Sequence, residues 1–168
     1  MPRKGAAAER PRSAGRIGGG RRFAIVSSRF NELITERLVR GAQACLREHG
    51  VAAGDVVVHH VPGAWELPLA AQWLARQGFD GVIAIGCVIR GDTPHFEYVA
   101  GAAAEGLARV SLDESVPVAF GVLTVETEEQ AMARAGGREG NKGWEAALAV
   151  LEMAALGGQL GEHGEDAQ

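Results

Sequence analysis

The sequence predicts an α/β protein, one domain of three layers wound around a four-stranded parallel sheet. Short apolar runs ending in polar residues alternate four times with segments whose apolar residues recur at helical spacing. One run, Val82 to Ile89, is apolar throughout except at Gly86, the pattern of a parallel strand covered on both faces. The 168 residues, 46% of them hydrophobic, are enough for one substantial core and few for two.

Each element has its own signals. Residues 1–20 hold Gly, Ala, Arg and Pro without apolar period and form an arm; the domain proper spans 21–158, and 159–168 is expected to be a flexible tail. Arg22 to Ser28 is the first strand. Asn31 to Gly50 follows as a helix, with Leu33, Ile34, Leu38, Ala42, Cys45 and Leu46 as its stripe, Asn31 as N-cap and Gly50 as stop. Asp55 to Val61 is the second strand, Pro62-Gly63 a break, and about Ala64 to Gln77 a helix with Leu67, Leu69, Ala70, Trp73 and Leu74 turned inward. The third strand leads into a helix carrying Tyr98, Val99, Ala102, Ala103, Leu107 and Val110. Pro117 to Thr124 is the fourth strand, its proline at the start, where a missing donor is tolerated. A short helix from Glu128 to Arg134, a loop with Gly136, Gly137 and Gly140, and a last helix from about Lys142 to Leu156 complete the domain, with fraying expected from Gly157.

Strands separated by helices pair in parallel through right-handed crossovers, which puts helices on both faces in a doubly wound, flavodoxin-like sandwich. A sheet of four strands leaves its edges open. Arm residues Arg16 to Gly19 are expected to add to a neighbouring subunit's sheet, which makes the protein a homo-oligomer.

Charge is unevenly spread. Residues 1–22 carry seven Lys/Arg and one acid, whereas the remainder carries ten basic and twenty acidic residues. An acidic body argues against nucleic acid as the main partner, and the basic arm is expected to be a solvated tail. No apolar run approaches the ~18 residues of a membrane span, and the first residues lack the apolar stretch of a secretory signal. Cys45 and Cys87 fall in a helical stripe and a buried strand, as small core residues of a reducing compartment. A cytoplasmic protein is expected. His59 and His60 are adjacent on a strand and point to opposite faces, which makes them poor partners for one metal ion.

Chemistry is expected where the strands end. Open α/β sheets bind ligands at the carboxyl ends of their strands. Those ends carry Ser28-Arg29-Phe30-Asn31, Val61 to Glu66, Arg90 to His95, and Thr124 with Arg134 and Lys142 beyond it. Thr93-Pro94 has the form of an N-cap with proline at the first helical position. The N–H groups around Gly91, Asp92 and Thr93 then favour an anion, and His95 lies in the same turn. A helix N-terminus disfavours imidazolium, so a histidine there can take a proton and return it. Aromatic faces, one carboxylate, one histidine and two cations suit a flat polar ring together with a phosphate.

The segments SRFN (28–31), VPGAWELPLAA (61–71), GCVIRGDTPHFEYV (86–99), PVAFGVLT (117–124), EEQAMARAG (128–136) and NKGWEAALAVLEM (141–153) together closely resemble the lumazine synthase family. The resemblance spans roughly residues 22–156 in collinear order. It implies condensation of 5-amino-6-(D-ribitylamino)uracil with 3,4-dihydroxy-2-butanone 4-phosphate to 6,7-dimethyl-8-ribityllumazine, phosphate and water, without metal or organic cofactor, in riboflavin biosynthesis.

The resemblance also distributes roles. His95 is the general acid/base. Phe30 stacks on the pyrimidine; Ala64, Trp65 and Glu66 meet the ribityl chain; Val88, Ile89 and Phe120 contact the ring, with Cys87 beside them; and Lys142 lies close to the reacting groups. Gly91, Asp92, Thr93 and Arg134 hold the phosphate. Trp65 is bulkier than the phenylalanine or isoleucine associated with its position, and Asp92 stands where the family often has a small or neutral residue. Pentamers with active sites shared between adjacent subunits are implied. The segment from Arg134 to Lys142 has no insertion, which favours a sixty-subunit shell, and riboflavin synthase is the associate the resemblance suggests.

Overall fold

The computed structural model describes residues 16–165, and the expected three-layer α/β sandwich is what they form. Strands β1 (Phe23–Ser28), β2 (Val56–Val61), β3 (Gly81–Ile89) and β4 (Val118–Val125) make one parallel sheet in the order β2-β1-β3-β4. Helices α1 (Glu32–Glu48), α2 (Leu67–Ala75), α3 (His95–Glu114), α4 (Glu128–Arg134) and α5 (Lys142–Glu165) surround it. The glycine loop is a small antiparallel hairpin of β5 (Ala135–Gly137) and β6 (Gly140–Asn141).

Strand periodicity sorts the core into two layers. Phe23, Ile25, Ile83, Ile85, Cys87 and Leu123 pack with α1, α4 and α5, whereas Ala24, Val26, Val82, Ala84 and Val122 pack with α2 and α3. Every residue of β1 is buried, and so are the first seven of β3. Burying a side chain such as Ile83 or Ile85 contributes about 1.5–3 kcal/mol. The chain leaves β1 towards β2 on one side, while β3 and β4 lie on the other, so the order reverses between β1 and β3. Loops diverge at such a point and open a crevice beyond the strand ends.

Several expectations are corrected. Asn31 precedes α1 in left-handed backbone (φ 59°), and its side chain makes no cap; Nδ2 donates instead to the Cys87 carbonyl on β3, 2.9 Å away. Thr93 does not cap α3 either. The helix begins at His95, with Pro94 in the cap position, one residue earlier in the helical frame than the Thr-Pro pattern predicts. Residues 64–66 form a 3-10 turn ahead of α2, which ends at Ala75. Leu33, Leu69, Trp73 and Tyr98 are exposed, because Ile34, Leu38, Leu67, Ala71, Leu74 and Leu107 already fill the inward faces.

The ends differ as well. Helix α5 continues past Gly157 to Glu165, where the Arg21 side chain helps by donating from Nη1 to the Ala154 carbonyl at 2.9 Å. The segment expected as a tail is helical as far as it is described, and 166–168 lie outside the described residues. Residues 16–19 pack on the body of the same chain: Ile17 joins the core and the Gly18 N–H donates to the His49 carbonyl at 2.9 Å. Residues 1–15 of the arm lie outside the described residues.

A contact between α1 and α5 fixes the start of the last helix. Asn141 Nδ2 donates to the Arg37 carbonyl (3.0 Å), while its Oδ1 accepts from the N–H groups of Gly143 (2.9 Å) and Trp144 (3.1 Å). The side chain thus caps α5 and ties it to α1. Gly143 presses so closely on α1 that an added Cβ would fall on the Leu38 backbone carbonyl. Gly143→Ala is expected to lower stability by about 1–3 kcal/mol or more, because backbone must move. Thermal unfolding beside Gly54→Ala, whose Cβ would meet nothing within 4 Å, checks this.

Candidate active site

A cleft of about 570 Å³ opens at the carboxyl ends of β1 and β3, at the reversal of strand order. Ten of the residues singled out from sequence line it: Phe30, Ala64, Trp65, Glu66, Cys87, Val88, Ile89, Gly91, Thr93 and His95. Pro62, Gly63, Phe96 and Val99 complete the wall. Neither Phe96 nor Val99 was singled out as a site residue, because an apolar residue near a helix start reads as core, as Val99 did; their nearness to His95 was the available signal.

The walls are held by hydrogen bonds to backbone groups. The Arg29 N–H donates to the Val61 carbonyl (2.8 Å) and the Phe30 N–H to the Pro62 carbonyl (3.2 Å), which ties the loop after β1 to the loop after β2. Asn31 ties the same loop to β3. Glu66 closes its own turn: Oε2 accepts from the Gly63 N–H at 2.9 Å, and the Glu66 N–H donates to the Gly63 carbonyl at 3.3 Å. Phe30 is 71% exposed and Trp65 62%, so two large aromatic faces stand uncovered at the mouth. His95 is exposed as the first residue of α3.

Phe120, Arg134 and Lys142 do not join this cleft within the chain. They line a second cleft of about 390 Å³ between β4, α4 and α5, along with Thr124 and Glu145. The single wall expected from sequence is therefore two, because β3 and the start of α3 stand between β1 and β4. Arg134 Nη1 donates to the Gln130 carbonyl (3.0 Å), and Lys142 Nζ pairs with Glu145 Oε2 (2.8 Å). Glu145 was not singled out, though its i,i+3 spacing from Lys142 offered the clue. Asp92 is exposed and lines neither cleft.

The remaining polar groups have simple roles. Burial, reinforced by the Glu128 charge, pushes the Cys87 thiol up to about 11; burial and the acids Glu48 and Glu152 push Cys45 up to about 12. Burial and the raised thiol pKa both disfavour the reactive thiolate at these two positions. His59 and His60 are exposed on edge strand β2, and no group of three His, Cys, Asp or Glu among the described residues could hold a metal ion. No described helix is long and apolar enough to cross a membrane.

A doubly wound α/β fold with an aromatic-lined cleft at its switch point, and a histidine at a helix start beside it, belongs to the class of proteins that bind or transform small molecules. The comparisons narrow this. The family model for 6,7-dimethyl-8-ribityllumazine synthase matches residues 20–157. A protein of that name from Chlorobium phaeobacteroides (strain DSM 266 / SMG 266 / 2430) is 54% identical over 138 residues, 82% of this chain and 89% of the relative. The chain belongs to the lumazine synthase family and is an enzyme of that type.

The thiol assignment can be checked directly. Native protein treated with iodoacetamide at pH 7.5 is expected to keep both cysteines unmodified, and protein unfolded in guanidinium to lose both, as mass spectrometry reads.

Proposed function

We propose that this enzyme condenses 5-amino-6-(D-ribitylamino)uracil with 3,4-dihydroxy-2-butanone 4-phosphate to 6,7-dimethyl-8-ribityllumazine, releasing phosphate and water, in riboflavin biosynthesis. The observation that carries the reading is the cleft at the switch point, in which Phe30, the Ala64–Glu66 turn, Val88, Ile89 and His95 come together. Phe30 offers a face to the pyrimidine, an interaction of about 0.5–1.5 kcal/mol beyond burial. Amides and the Glu66 carboxylate at the turn meet ribityl hydroxyls. Gly91 and Thr93, ahead of α3, supply N–H groups for the phosphate, where the helix dipole favours an anion. Asp92 would serve by its backbone alone.

The amine of the pyrimidine attacks the ketone and a first water leaves as the imine forms. Then β-elimination expels phosphate and leaves an enol, which tautomerises to a ketone, and attack of the ribitylamino nitrogen on that ketone closes the ring with loss of a second water. Each step moves a proton, and one positioned imidazole, His95, contributes about 10²–10⁴-fold. Holding the two substrates together supplies much of the rest.

Arg134, Lys142 and the Phe120 backbone reach the reaction from the neighbouring subunit. Two observations support this: the three line a separate cleft along the open edge of β4, and large apolar side chains remain exposed, including Trp73 (58%), Tyr98 (72%) and Leu112 (80%). Joined copies would cover such surface. Arg134 then brings a planar fork to the phosphate. We assign a pentameric ring closing into a sixty-subunit shell, which the short hairpin between α4 and α5 permits, and a cytoplasmic setting, supported by two free buried cysteines.

His95→Ala is expected to lower kcat by about 10²-fold and leave residual turnover, whereas Arg134→Ala raises KM for the phosphate substrate at least about 10-fold. Formation of the lumazine, followed by absorbance, checks both; equal kcat losses with unchanged KM would contradict the assignment.

Subunit sharing has its own test. Rings assembled at random from equal amounts of the two variants are expected to recover about a quarter of wild-type sites, because an intact site needs His95 from one copy and Arg134 from the next. Activity no higher than the mean of the separate variants would place the site within one subunit. Light scattering should give a particle of sixty chains; pentamers alone would reject the shell.

A further inference from the structure

We propose that Arg90 is a positioning residue for this reaction: it clamps the first turn of α3 to the ends of β3 and β4 and so sets where His95 stands. The inference rests on the proposed function. Arg90 follows the last residue of β3, and its N–H donates to the Val125 carbonyl at 2.9 Å, so the sheet fixes its backbone. Its guanidinium then makes three contacts. Nε lies 2.9 and 3.1 Å from the two carboxylate oxygens of Glu126, just beyond β4. Nη1 bonds the Glu97 carboxylate, and the guanidinium carbon stands 4.3 Å from the centre of the Phe96 ring.

Phe96 and Glu97 are the two residues after His95. One side chain therefore grips the turn bearing the histidine by a ring and by a charge. The turn has little else to hold it, since Pro94 in the cap position gives no side-chain cap and residues 91–95 are exposed. An exposed ion pair is worth little to global stability. A planar fork divided between two carboxylates while stacked on a ring is instead a geometric device, and one that Lys cannot copy. Arg90 also holds the Glu97 carboxyl below the usual carboxylate range, and its charge offsets two acids beside the loop assigned to phosphate.

Arg90→Met keeps the apolar stem and removes the fork. Hydrogen exchange read by mass spectrometry is expected to show the amides of residues 98–101, which bond to carbonyls of the first turn of α3, exchanging at least about tenfold faster, with β1 and α5 unchanged. The kcat is expected to fall about tenfold with KM for the pyrimidine substrate within about twofold, and in a His95→Ala background the same change is expected to cost less than about twofold, since residues acting through one group are not additive. Unchanged exchange, or losses that multiply in the double variant, would overturn the proposal. Exchange needs no turnover, so wild-type protein inert towards both substrates would sink the functional reading while the exchange still decided whether Arg90 holds the turn.

Discussion

The structure depends on the burial of β1 and β3 on both faces. Their side chains are apolar on either side of the pleat, so helices must cover the sheet above and below. Parallel strands then deliver every carboxyl end to one rim. The reversal of order between β1 and β3 parts the loops at that rim, and the cleft follows from topology before any polar residue is considered. Chemistry is added to a hollow that packing has already made.

The polar residues at the rim bond largely to one another and to backbone. Asn31 holds the Cys87 carbonyl, Glu66 holds its own turn, Arg90 joins two carboxylates, and Lys142 meets Glu145. Several of these contacts are exposed, where an ion pair adds only about 0–1 kcal/mol. Their effect is local: they restrict the orientations of Phe30, of the Ala64–Glu66 turn and of the start of α3. Such restriction preorganises the walls of the cleft.

Much of the fold, and most of the residues that line the switch-point cleft, were legible in the chain. Alternation identified the four strands and five helices because their signals are local: runs of Val and Ile, apolar stripes, and breaks at Pro62-Gly63 and Gly91. Thr127 shows the same locality, capping α4 by accepting from the Gln130 N–H at 3.2 Å. The errors fell where long-range contacts override local preference. Asn31 looked like a cap and instead reaches across to β3; Gly157 looked like a stop, yet the helix runs through it beside Arg21. Leu33 and Trp73 looked like core because hydropathy cannot tell an inward face from a face without a partner in the same subunit.

The sequence by itself determined the layers, the strand ends as the place where a cleft opens, and the residue types gathered there, since each follows from periodicity and chain connectivity. Only the tertiary structure decided that these residues divide between two clefts. Phe30, Trp65 and His95 share one; Phe120, Arg134 and Lys142 share another on the far side of β3. The physical reason is lateral order in the sheet: the chain lists its strands as one, two, three, four, but hydrogen bonding places β1 beside β3 and leaves β4 at the edge.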